Sequence, residues 1–268
     1  SPVDTVAAMR LRDQQRQLSQ LGDNITDGLS RLQASDDALT RMGDMLGRIR
    51  TLVVRGASGT YSGSDRAAMS AEIAQLKSGL VQLANTQIAG QPVFAGTANV
   101  TNAFDPVTGA YQGNSEDVLR KVTSTEGAAG EMNVAIPGDK VFGSETTGIN
   151  LLGPDTGTPA TTGLLEKIIA NFTAGDLTAL NGNLADLDAA HDQVLSAQST
   201  VGARVNRLQS LQELNGQQDD AAVASLSKVE DTDFMKAAMD LAIQENAYKA
   251  ALQSSAKVIQ PSLMDFIR

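Results

Sequence analysis

Two strings, Ser225-Leu-Ser-Lys228 and Ser254-Ser-Ala-Lys257, match the S-x-x-K pattern in which a lysine draws the proton from a nucleophilic serine. The companion S-D-N and K-T-G strings are missing, and both matches fall in helical patterns rich in Ser and Lys, so they read as coincidences. Asp23-Asn-Ile-Thr-Asp27-Gly28 imitates the start of a calcium loop, yet Ile25 occupies a ligand position and Ala34 stands where a bidentate Glu is needed. The single histidine, His191, has no second His and no Cys beside it; it lies between Leu187 and Val194 on an apolar stripe and reads as structural. The acid pairs Asp36-Asp37, Asp219-Asp220 and Glu230-Asp231 are adjacent and splay apart on a helix, which suits solvated faces better than acid-base catalysis. N-x-T strings at Asn24, Asn99 and Asn171 require a glycosylating secretory route, and the opening SPVDTVAAMR shows no signal peptide. These residues predict no catalytic, metal-binding or cofactor-binding site.

Composition narrows the choice further. The 268 residues contain six Phe, three Tyr and no Trp, so Leu, Ile, Val, Met and Ala must fill the interior, as helix-on-helix packing allows. Absence of Cys removes disulfides and thiolate chemistry. A net charge of −10 with no basic run argues against nucleic acid, and no run of about 18 apolar residues is present to span a membrane.

What must be positioned is therefore a set of apolar stripes. Leu11, Leu18, Ile25, Leu32, Leu39, Leu46 and Val53 follow one another at intervals of seven, with Leu21, Met42 and Ile49 in the companion series. They predict a helix of about 45 residues, roughly 65 Å long. Gly22, Gly28, Gly43 and Gly47 each weaken it by about 1 kcal/mol relative to Ala, so packing must hold it together. After the loop at 56–64, a second helix capped by Ser62 or Ser64 carries Met69, Ile73, Leu76, Leu80 and Leu83.

Between Gly90 and Gly163 stand 12 of the 24 Gly and five of the seven Pro, and helical periodicity disappears. Short runs at 92–94, 118–122, 132–136 and 140–142 predict a small β-rich insertion. A helix resumes at Leu164, and Leu180, Leu187, Val194, Val201 and Leu208 form a second heptad series. The two long seams are expected to zip together, giving a mainly α fold: an elongated antiparallel helical bundle or coiled-coil rod with a small β domain inserted. Residues 1–89 and 164–216 are then the halves of the rod and 90–163 the outer domain. A break near 215–220 leads to a terminal assembly helix within 217–268, ended by Pro261, whose stripe includes Phe234, Ala238, Leu241, Tyr248, Leu252 and Ile259. Every other seam has a mate, so this helix is expected to be mobile until a partner covers it.

Several strings carry a family likeness: Phe94-Ala-Gly-Thr97, Tyr111-Gln-Gly-Asn114, Val201-Gly-Ala-Arg204 with Asn206-Arg-Leu208, Glu230-Asp-Thr-Asp233, Gln244 to Leu252, and Pro261-Ser-Leu-Met-Asp-Phe-Ile-Arg268. By these the chain resembles the flagellin superfamily and, within it, the hook-associated proteins of the hook-filament junction. The resemblance implies a non-enzymatic structural subunit of the bacterial flagellum, exported by the flagellar type III route and placed outside the cell. It implies like subunits in a ring as partners, with the first hook-associated protein, flagellin or the filament cap, and an export chaperone. It also implies a further N-terminal helix ahead of a segment similar to Pro2–Ala8, the mate of the terminal helix. The faces expected to meet partners are Leu241, Tyr248, Leu252, Ile259, Leu263 and Phe266. Two alternatives stand beside this reading: a filament protomer, or a hydrolase on the insertion using some of Glu116, Asp117, Glu126, Glu131 and Asp139.

Overall fold

The computed structural model describes residues 2–143, 150–153, 162–230 and 234–259. Helix α1 runs over Pro2–Ala57. It begins well before the first heptad Leu, because Pro suits the first helical position and Asp4 sits in the first turn against the helix dipole. Helix α2 spans Gly63–Ala84 and is opened by Ser62 in a capping box with Asp65. Then come the short antiparallel pair β1 (Gln87–Ile88) and β2 (Gln91–Pro92), a second pair β3 (Leu119–Lys121) and β4 (Glu131–Asn133), and α3 (Gly138–Phe142). Helices α4 (Leu164–Ala174), α5 (Leu177–Glu230) and α6 (Phe234–Ile259) complete the order.

Two expectations are corrected. The run 140–142 is helical rather than extended, and α5 passes through 215–220 without a break. Asn215 explains the continuity: its Nδ2 donates to the Leu18 carbonyl at 3.0 Å, so the residue that reads as a helix stop is spent on a neighbouring helix.

Residues 17–218 form one compact unit; residues 1–16 and 219–268 form another. Within the first, α1 and α5 are antiparallel. As α1 advances through Leu18, Gly28, Thr40 and Arg50, its neighbours on α5 recede through Asn215, Leu208, Gln198 and Asp188. Between them Ile25, Leu32, Leu39, Met42 and Leu46 face Leu180, Leu187, Val194, Val201 and Leu208 in one core, each at most 1% exposed. Leu18 is buried, and Leu11, in the other unit, is half-buried. Helix α2 returns beside α1, with an Arg48–Glu72 ion pair at 2.7 Å, and α4 packs on α2. The insertion has no core of its own: Phe94, Phe104, Val134, Phe142 and Leu152 belong to the core of the helices. Its few aromatics cluster there, with Phe104 edge-on to Phe142 at 5.1 Å.

The β1–β2 turn places Ala89 at φ +49° and Gly90 at φ +79°, the two positive values that a two-residue hairpin loop needs. Alanine is strained there, and Asn-Gly is the favoured pair. Ala89→Asn should stabilise the chain by about 0.5–1 kcal/mol in urea unfolding; an unchanged or lower midpoint would contradict the turn assignment.

Arg50 Nη2 donates to Asp188 Oδ2 at 3.1 Å across the α1–α5 seam, and this bond holds the Asp188 carboxyl below the ordinary carboxylate range. The folded value being depressed, the pair stabilises the seam above the unfolded value of about 3.9 and loses that contribution as pH falls through the folded one. An NMR titration should find the Asp188 midpoint below that of a free Asp, and Arg50→Gln should return it upward.

Candidate assembly interface

The strings that look like chemistry are occupied by architecture. In the calcium-like segment, which is plain α1, Asn24 Nδ2 donates to the Lys121 carbonyl at 2.8 Å and Asp27 pairs with Arg120 at 3.0 Å. One turn on, the buried Arg31 donates to the Pro92 carbonyl at 2.9 Å, its guanidinium held below its usual value first by burial. From the other side, Arg204 of α5 donates to the Ala135 carbonyl at 2.7 Å. The insertion is thus fastened to both long helices.

Two quoted strings meet as a clasp within it. Tyr111 Oη lies 3.0 Å from the Phe94 carbonyl and 2.8 Å from the Asn114 carbonyl, and Asn114 Oδ1 accepts from Thr97 N–H at 3.0 Å. Burial raises the Tyr111 hydroxyl far above its ordinary value, so it stays protonated and donating. Gly96 is required at this point: its φ is +66°, and a Cβ there would lie 2.4 Å from the Asn114 carbonyl oxygen.

His191 is half-buried on the seam beside Gly43, with no metal cluster among the described residues. The five insertion acids form no common cluster among the described residues: Asp117 pairs with Lys140, Asp139 accepts from Ser115, and Glu116, Glu126 and Glu131 are exposed. Ser225 spends its hydroxyl on the Ala221 carbonyl, and Ser254 is exposed.

The unit made of 1–16 and 219–268 has a different character. Ala8 and Ala222 are buried, and Arg12 pairs with Glu230 at 2.8 Å, but along α6 every described side chain from 237 to 255 is exposed. Leu241 is 60%, Tyr248 67% and Leu252 53% exposed. Ile259 as a side chain, and Leu263 and Phe266 altogether, lie outside the described residues.

Sequence reading missed half of this surface. Met239 and Ile243 are 64% and 62% exposed, and at 100° per residue they lie on the side of α6 opposite Leu241. Their signal in the sequence is a spacing of four that lies outside the three-four stripe through Leu241. Helix α6 thus presents large exposed apolar side chains on two opposed sides. Among the described residues no helix is long and apolar enough to cross a membrane.

Comparison with known proteins bears on what such a surface serves. Residues 2–99 match the bacterial flagellin N-terminal helical region. Flagellar hook-associated protein 3 of Escherichia coli (strain K12) is 25% identical over 267 residues, covering 94% of this chain and 82% of that protein. The flagellar filament 30.7 kDa core protein of Treponema maltophilum is 27% identical over 233 residues, covering 86% of this chain and 72% of its own. In fold, the crystal structure of flagellar hook-associated protein 3 from Legionella pneumophila superposes with a TM-score of 0.67 at 18% identity, over 84% of this chain and 99% of that one. The chain accordingly carries a bacterial flagellin N-terminal helical region and is, over most of its length, a homologue of flagellar hook-associated protein 3, a structural and extracellular component of the bacterial flagellum.

Proposed function

We propose that this chain is a subunit of the hook-filament junction, and that it acts by adhesion rather than by catalysis. The observation that carries the reading is α6: a helix with large apolar side chains exposed on two opposed sides, in a chain homologous to flagellar hook-associated protein 3. Burying one such side chain contributes about 1.5–3 kcal/mol before ordering costs, so a few in series suffice to drive ordered assembly. Residues 217–268 act as the assembly segment, with Leu241, Tyr248 and Leu252 toward one neighbour and Met239 and Ile243 toward another. The neighbours are copies of this chain in a ring, the first hook-associated protein below, and flagellin or the filament cap above; before assembly an export chaperone covers the same helix.

A second reading, a filament protomer, draws support from the flagellin N-terminal match and from the similarity to treponemal filament proteins. One experiment separates them. In cells lacking their own junction protein, gold-labelled antibody against this chain should mark a single band at the hook end and swimming should return. Label along the whole filament would instead make it a filament protomer.

A further inference from the structure

A cavity of about 340 Å³ lies between the insertion and α5, with Asp117, Lys140, Gln193, Ser196, Thr200 and Arg204 in its wall. Its wall carries two cations, Lys140 and Arg204, against one acid, Asp117. Arg204 is half-buried, and among the described residues its guanidinium hydrogen-bonds to the Ala135 carbonyl. The acid whose charge acts on it, Asp117, is also engaged with Lys140 Nζ at 3.3 Å. Gln193 donates to the Lys140 carbonyl and Thr200 to the Ser196 carbonyl, while the Ser196 side chain is exposed. A guanidinium withdrawn from water is costly without an anion, and its planar fork is shaped for a carboxylate.

We infer that this cavity is a carboxylate site, and that its occupant is an Asp or Glu side chain of a neighbouring subunit. The volume is at the small end for ligand sites and holds a carboxylate with the few atoms behind it. One anion in a half-open site binds weakly, in the millimolar range, so free anions leave it mostly empty. A packed neighbour supplies its carboxylate at high effective concentration. A second copy offers such groups freely, with 31 Asp and Glu against 21 Lys and Arg. The identity of the occupant rests on the junction reading; the chemistry of the cavity does not.

The test has two arms. In the first, glutarate is titrated into the isolated chain at constant ionic strength and followed by NMR. Saturable shifts are expected at Ala135, Ser196, Thr200 and the Arg204 Nε–H, lost in Arg204→Gln. Should Arg204→Gln unfold, Ser196→Glu serves instead: placing a carboxylate at the cavity in cis, it should abolish the glutarate response. Shifts spread over the surface, or unchanged in both variants, overturn the site. In the second arm, Ser196→Glu should lower incorporation at the junction several-fold while leaving the thermal midpoint unchanged. Normal incorporation with glutarate binding intact in the parent chain overturns the neighbouring subunit as occupant. Failure of the parent chain itself to reach the junction overturns the junction reading and leaves the titration standing.

Discussion

Gly28→Val should destabilise the unit 17–218 by about 3 kcal/mol, reversing the sign expected for removing a glycine from a helix interior. In an open helix, Gly→Ala gains about 1 kcal/mol. Here a Cβ would lie 2.7 Å from Val134 Cγ1 and 3.2 Å from Leu208 Cδ1, where α1, the insertion and α5 meet. Val134 and Leu208 are both fully buried and cannot swing out of the way. Valine adds two more methyl groups and a χ1 restriction to the clash. Gly47 supplies the contrast on the same helix: nothing lies within 4 Å of its Cβ position, so Gly47→Ala should raise stability by about 0.5–1 kcal/mol. Urea unfolding followed by circular dichroism at the helix band reads both. Equal stabilisation by the two changes would show that α1 is not packed on three sides at Gly28.

The heptad arithmetic made α1, α5 and their pairing legible, because a stripe repeated every seven residues has few ways to be buried. The residues that bind the insertion were visible but their partners were not. Asn24 and Asp27 imitate the start of a calcium loop, a likeness already excluded by Ile25 and Ala34, and nothing in the sequence points from them to Lys121 and Arg120. Arg31 and Arg204 gave no signal, since a buried arginine aimed at a carbonyl is indistinguishable in sequence from a solvated one. The insertion hides its logic for a related reason. Its strands are two or three residues long, too short for alternation to register, and its order comes from the clasp at Tyr111 and Asn114 and from a core shared with the helices. On α6 the stripe through Leu241, Tyr248 and Leu252 was readable, but the opposite side was not, because Met239 and Ile243 disturb the very periodicity by which an amphipathic helix is recognised.

The double change Leu241→Asp with Leu252→Asp should abolish function while leaving the fold alone. Both side chains are more than half exposed in a unit separate from 17–218, so neither substitution removes a buried contact, and the thermal midpoint of the isolated chain should not move. In an assembly that covers them, each leucine forfeits about 1.5–3 kcal/mol of apolar burial, and each aspartate must also be desolvated. With about 1.4 kcal/mol for each factor of ten, the pair should cost at least about 10²-fold in association, enough to leave the junction unfilled and the cells non-swimming. Met239→Asp with Ile243→Asp should do the same from the other side of the helix, and this second pair carries the stronger inference. An amphipathic helix with one sticky face would tolerate it, whereas a helix held between two neighbours cannot. Swimming restored to parental levels by the Met239 and Ile243 pair, with the Leu241 and Leu252 pair dead, would reduce α6 to a one-sided contact; full swimming with both pairs would remove α6 from the interface.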